Sequence, residues 1–107
     1  MTKQQKQIAR IEKMEAALDE ILAAEEMAAL ALDRLESLPG QIKALSGYLG
    51  SEDWRRDYQD DEDGRLPADL KRGVLSQDGA YNALEEYREI MARMLGMVSK
   101  HIEKGAL

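Results

Sequence analysis

Apolar residues along the first third of the chain recur at three- and four-residue steps: Ile11, Met14, Leu18, Ile21, Ala28, Leu32 and Leu35. This is the period of one face of an α-helix and predicts a single long helix over about 3–38. At ~1.5 Å per residue it would extend about 54 Å, longer than a compact domain of this mass needs. Glu25 falls in the seam, so the stripe suits a bundle better than a regular coiled coil. Pro39 and Gly40 end or kink the helix, and Ile42, Leu45 and Leu49 restart the pattern on a rotated face.

Punctuation then becomes dense. Gly50 suits a C-cap and Ser51 an N-cap, with Glu52 and Asp53 in the acidic first-turn positions of a helix to about Asp60. Gly64 breaks it, and Pro67 is placed to start a short helix through Arg72 that Gly73 terminates. Ser76 is the expected cap of a last helix, about 76–104, whose buried stripe reads Tyr81, Leu84, Met91, Leu95, Val98 and Ile102. On its exposed side Glu89 and Arg93 form a favourable i,i+4 pair. The expected fold is therefore all-α: one domain over 1–107, an antiparallel hairpin or bundle of two long helices, with short helices in a connecting segment over about 41–75. Each long helix should cover the other's stripe.

Composition agrees. The chain has 107 residues, no Phe and no Cys, and its apolar residues are mainly Leu, Ala, Ile and Met. Absent cysteine excludes disulfides and thiolate chemistry and fits a reducing interior. The run Met27 to Leu32 is far short of the ~20 residues of a membrane span, and the N-terminus lacks a signal-peptide core, so a cytoplasmic location without membrane attachment is expected. A net charge of -6 argues against direct nucleic-acid binding. That charge is uneven: residues 1–13 carry +3, residues 14–36 carry -6 and residues 51–63 carry -5.

All five aromatic residues, Tyr48, Trp54, Tyr58, Tyr81 and Tyr87, lie between positions 48 and 87. Trp54 and Tyr58, at i,i+4, suit a small satellite core with Leu66, Leu70, Val74, Leu75 and Tyr81, or a partly exposed hot spot for another protein. Two charge patterns share their helix. Glu52, Arg56 and Asp60 step by four and neutralise one another, whereas Asp53, Asp57 and Asp61 step by four with no base among them. Like charges at that spacing are unfavourable, so the column requires a cation. Lys71 and Arg72 folding back, a basic surface on a partner protein, or a divalent metal would each supply it. The metal is the poorest match. Asp61, Asp63, Gly64 and Leu66 fit a calcium loop, but Gln59 and Leu70 stand where its first and last carboxylates belong.

Enzyme signatures are missing. His101 is the sole histidine, near the end of the last helix, where it suits the helix dipole. No Glu-x-x-His pair and no Gly-rich phosphate loop is present. The expectation is a non-enzymatic protein-protein interaction module without cofactor or metal, binding another protein through Asp53, Trp54, Arg55, Asp57, Tyr58, Asp61, Lys71 and Arg72. A homodimer along the long first helix is a further expectation. Two alternatives remain: an acidic decoy, phage-encoded for instance, inhibiting a nucleic-acid-binding enzyme, and a metal-responsive helical switch.

The spacing Tyr48, Gly50, Ser51, Trp54, Asp57, then Leu66, Pro67, Asp69, Leu70, Lys71, Arg72, Gly73, Val74, Leu75, Ser76, Asp78, Tyr81 and Leu84 resembles the bacterial family catalogued as domain of unknown function 4298. Its specific part is the contiguous LPADLKRGVLS. The resemblance implies a small helical protein of bacterial or phage origin and brings no catalytic residue. Gly79, a weak helix former, predicts a loose start to the last helix.

Overall fold

The computed structural model describes residues 1–76 and 78–106. It contains four α-helices, α1 (Lys3–Glu36), α2 (Pro39–Leu49), α3 (Glu52–Glu62) and α4 (Gly79–Glu103), with a 3₁₀ turn at Gly73–Leu75 and no strand among the described residues. The chain is all-α, as its periodicity predicts. It divides into two compact units, Met1–Pro39 and Gly40–Leu107.

The first unit is α1. Its start is a capping box that the hydrophobic pattern does not reveal. The Gln5 N–H donates to Thr2 Oγ1 at 3.1 Å, and the Thr2 N–H donates to Gln5 Oε1 at 2.8 Å, so two of the helix's orphan donors are satisfied reciprocally. The burial expected for its stripe is absent: Ile11 is 51% and Leu18 47% exposed, and no residue of α1 is buried. Met27 and Leu30, which lie off the stripe, are exposed as well.

The second unit holds the rest. Pro39 opens α2 at a position that needs no N–H donor, and Ile42, Leu45, Tyr48 and Leu49 are its half-buried residues. Ser51 then joins α2 to α3. Its Oγ donates to the Tyr48 carbonyl at 2.7 Å and accepts from the Trp54 N–H at 3.2 Å, as an N-cap should. Gly64, with φ +71°, turns the chain after α3, because that left-handed backbone suits a residue without Cβ.

Two expected features differ. No helix follows Pro67; there is one turn, closed by the Leu70 N–H donating to the Pro67 carbonyl at 3.2 Å, and Gly73 begins the 3₁₀ turn rather than ending a helix. The Arg72 guanidinium occupies the Pro67 and Leu70 carbonyls that a continuing helix would use. In α4 the half-buried residues are Leu84, Tyr87, Met91 and Met94, while Tyr81 (64% exposed), Leu95 (73%), Val98 and Ile102 of the expected stripe are exposed. At ~100° per residue Tyr81 points well off the face centred on these four. Val98 shares that face and is nevertheless exposed, since inward burial on α4 ends at Met94.

Leu75 and Ala80 are the buried apolar residues among those described, so the core sits where the 3₁₀ turn meets the start of α4. Gly79 explains itself there. A Cβ on it would stand 2.5 Å from Ser76 Oγ, which accepts the Gly79 N–H at 2.9 Å. α4 starts at Gly79 rather than near Ser76, and its N-cap position is Asp78, which makes no side-chain cap hydrogen bond. The Ser76 hydroxyl instead holds the Gly79 N–H from three residues back, in a position where a Cβ at residue 79 would crowd it.

Candidate functional site

α3 presents Trp54, Asp57, Tyr58 and Asp61 inward, all half-buried, at the spacing of one helical face. The rings stack as expected, with centroids 5.1 Å apart and planes 17° from parallel. Trp54 Nε1 donates to the Val74 carbonyl at 2.9 Å, which ties α3 to the 3₁₀ turn. The satellite core holds in part. Leu66 is half-buried and Leu75 buried, whereas Leu70 (47%), Val74 (40%) and Tyr81 are exposed.

The three aspartates do not share one cation. Asp61 is paired with Arg72, the side chains being 18% and 35% exposed, and the same guanidinium donates to the carbonyls of Pro67 and Leu70. Arg72 thereby clamps the return loop onto α3. Asp57 is satisfied by a neutral donor, the Tyr48 hydroxyl at 2.6 Å. Asp53, exposed, lies 4.0 Å from Arg56 in the first turns of the helix. Lys71, expected to help Arg72, is exposed and forms no ion pair among the described residues.

The expected i,i+4 neutralisation is also rearranged. Arg55 pairs with Glu52 at 2.7 Å, and Asp60 with Arg65 at 3.5 Å beyond the helix end. On α4 the pair formed is Arg88 with Glu85 at 3.4 Å, not Glu89 with Arg93. These exposed pairs contribute little to stability.

Tyr48 is the one group whose ionisation is clearly displaced. Burial, then the hydrogen bond to Asp57, then the negative charges of Asp57 and Asp53 raise its pKa from 10.0 to about 12. The phenol is thus held as a donor. No group of three His, Cys, Asp or Glu residues able to hold a metal occurs among the described residues. His101 is exposed, its Nδ1 2.8 Å from the Met97 carbonyl one turn back.

Of the eight residues expected to bind a partner, Trp54, Asp57, Tyr58, Asp61 and Arg72 come together, but on the inner side of the segment. Asp53, Arg55 and Lys71 remain at the surface. Sequence reasoning missed Tyr48 as the donor to Asp57, and missed Leu70 and Val74 as exposed apolar side chains. The first had a signal: positions 54, 57, 58 and 61 share a helix face with the two rings, so the aspartates must accompany them inward.

A protein-family model described as Domain of unknown function (DUF4298) matches residues 11–97. Neither a curated protein nor a solved structure matches the chain.

Proposed function

The chain belongs to that DUF4298 family, whose description assigns no activity, and we propose that it is a non-enzymatic, cytoplasmic protein-protein interaction module acting through the segment between α2 and α4. One observation supports this reading above others. Leu70 and Val74 are exposed on a stretch of backbone pinned at both places, by Arg72 on Asp61 and by Trp54 on the Val74 carbonyl. Apolar side chains held out on an ordered loop lose little entropy on docking, which is what an interface anchor needs. Lys71 between them, with Asp53 and Arg55 on α3, supplies charge to set register with a partner. Asp57, Asp61, Tyr58 and Arg72 shape the loop rather than touch the partner.

The test is capture from the native cell with the wild-type chain and with a Lys71→Glu, Val74→Asp variant. A protein retained by the first, lost by the second, and bound directly when purified is the expected result. Equal retention by two equally folded chains overturns it.

A second reading has its own support. The carboxylates of Glu15, Asp19, Glu20, Glu25, Glu26, Asp33 and Glu36 are all on exposed residues of α1, as an acidic decoy of a nucleic-acid-binding enzyme requires. Displacement of a captured enzyme by added DNA or RNA would favour that reading. The metal-switch reading has lost the unpartnered aspartates that motivated it.

A further inference from the structure

α1 carries two features that the connecting segment does not use. Ile8, Ile11, Met14, Leu18, Ile21 and Leu32 are exposed along its length, an extended run of aliphatic surface. Its charge is also split along the axis. Lys3, Lys6, Arg10 and Lys13 dominate the first third, and the carboxylates from Glu15 to Glu36 face only Arg34 in the remainder.

We propose that the apolar face of α1 is covered by α1 of a second copy of this chain, lying antiparallel. A parallel pair would set the basic third against itself and the acidic stretch against itself. An antiparallel pair sets each against its opposite. The register follows from the stripe. With Leu18 opposite Ile21 of the second copy, Ile11 meets Ala28 on each side of the twofold axis. Lys3 then lies level with Glu36, Lys6 with Asp33 and Lys13 with Glu26 along the axis, on opposite flanks of the seam, so the attraction is between the basic and acidic stretches as wholes rather than between paired residues.

Glu25, the residue that interrupts the seam, gains a partner in this arrangement. It falls level with Met14, next to Lys13 of the second copy, where a long side chain can reach the ammonium. Ala17, Ala24 and Ala31, seven residues apart beside the seam, leave room for the two axes to approach. This surface is separate from Leu70 and Val74, so its failure leaves the proposed function standing, and the reverse.

The absence of cysteine makes the test direct, because a single introduced thiol is the only one to label. Ala9→Cys carrying a donor fluorophore and Leu30→Cys carrying an acceptor are both on the side of α1 away from Leu18 and Ile21, and lie level in the antiparallel register. Strong energy transfer between these two copies, and weak transfer between two Ala9→Cys copies, is expected. Association should weaken on the order of tenfold from about 0.05 M to about 0.5 M salt. A Lys6→Glu, Lys13→Glu copy should lose self-association at least tenfold and regain it when mixed with a Glu26→Lys, Asp33→Lys copy. A monomer at about 100 µM in sedimentation, at a concentration where weak helix pairs associate, overturns the proposal. Transfer favouring two Ala9→Cys copies does so too, as does a charge reversal that its complement fails to rescue.

Discussion

Asp57 takes its hydrogen bond from a phenol, and the consequences are measurable at both ends of that 2.6 Å contact. Removing the donor with Tyr48→Phe should cost about 1 kcal/mol in urea unfolding, the net worth of one such bond. The pH dependence has a definite sign. Because the folded-state pKa of Tyr48 is raised from 10.0 to about 12, the folded chain holds a proton that the unfolded chain releases over that interval. The stabilisation is therefore complete below pH 10 and is lost as pH rises towards 12. Titration of phenolate absorbance should show one late tyrosine, and Asp57→Asn should bring it earlier; a titration unmoved by that change would refute the contact. The carboxylate column and Arg72 as a cation for it were legible in the sequence, but Tyr48 as the partner of Asp57 was not. Spacing along a helix says which charges neighbour one another, and nothing about a hydroxyl nine residues earlier on another helix.

On the element scale, the connecting segment is governed by side chains that cap and clamp. Arg72 reaches three acceptors, two of them carbonyls of its own loop, so Arg72→Ala should cost about 1.5–3 kcal/mol, the range for hydrogen bonds to charged groups. Trp54 emission should shift red as the loop leaves α3; an unchanged spectrum and midpoint would show that the clamp contributes nothing. The start of α4 offers a double-mutant cycle. Ser76→Ala should cost about 1 kcal/mol through loss of its hydrogen bond from the Gly79 N–H. Gly79→Ala should be more damaging with Ser76 present than with alanine there, because its Cβ collides with the hydroxyl and not with the Ser76 Cβ 3.7 Å away. Additive effects would dismiss the collision. Glycine at this position reads in the sequence only as a weak helix former. Its necessity depends on where another residue's oxygen lies.

Across the whole molecule, Leu75 and Ala80 are the buried residues among those described, and none of α1 is buried. Hydrogen exchange should divide accordingly: amides of α3 and of the first half of α4 protected at every protein concentration, those of α1 protected more as concentration rises and a second copy covers them. Concentration-independent exchange of α1 would contradict the pairing. The four α-helices were legible because three- and four-residue periodicity, Ser51, Pro39 and the flanking glycines act within a few residues of chain. The same locality let the LPADLKRGVLS stretch mark the family. Which faces are buried was decided only by the tertiary structure. Val98 has the phase of an inward residue and stays in solvent, while Asp57 and Asp61 have the charge of outward residues and turn in. Periodicity defines a face; burial needs another element in front of it, and a carboxylate goes inward wherever Tyr48 or Arg72 replaces the water it gives up.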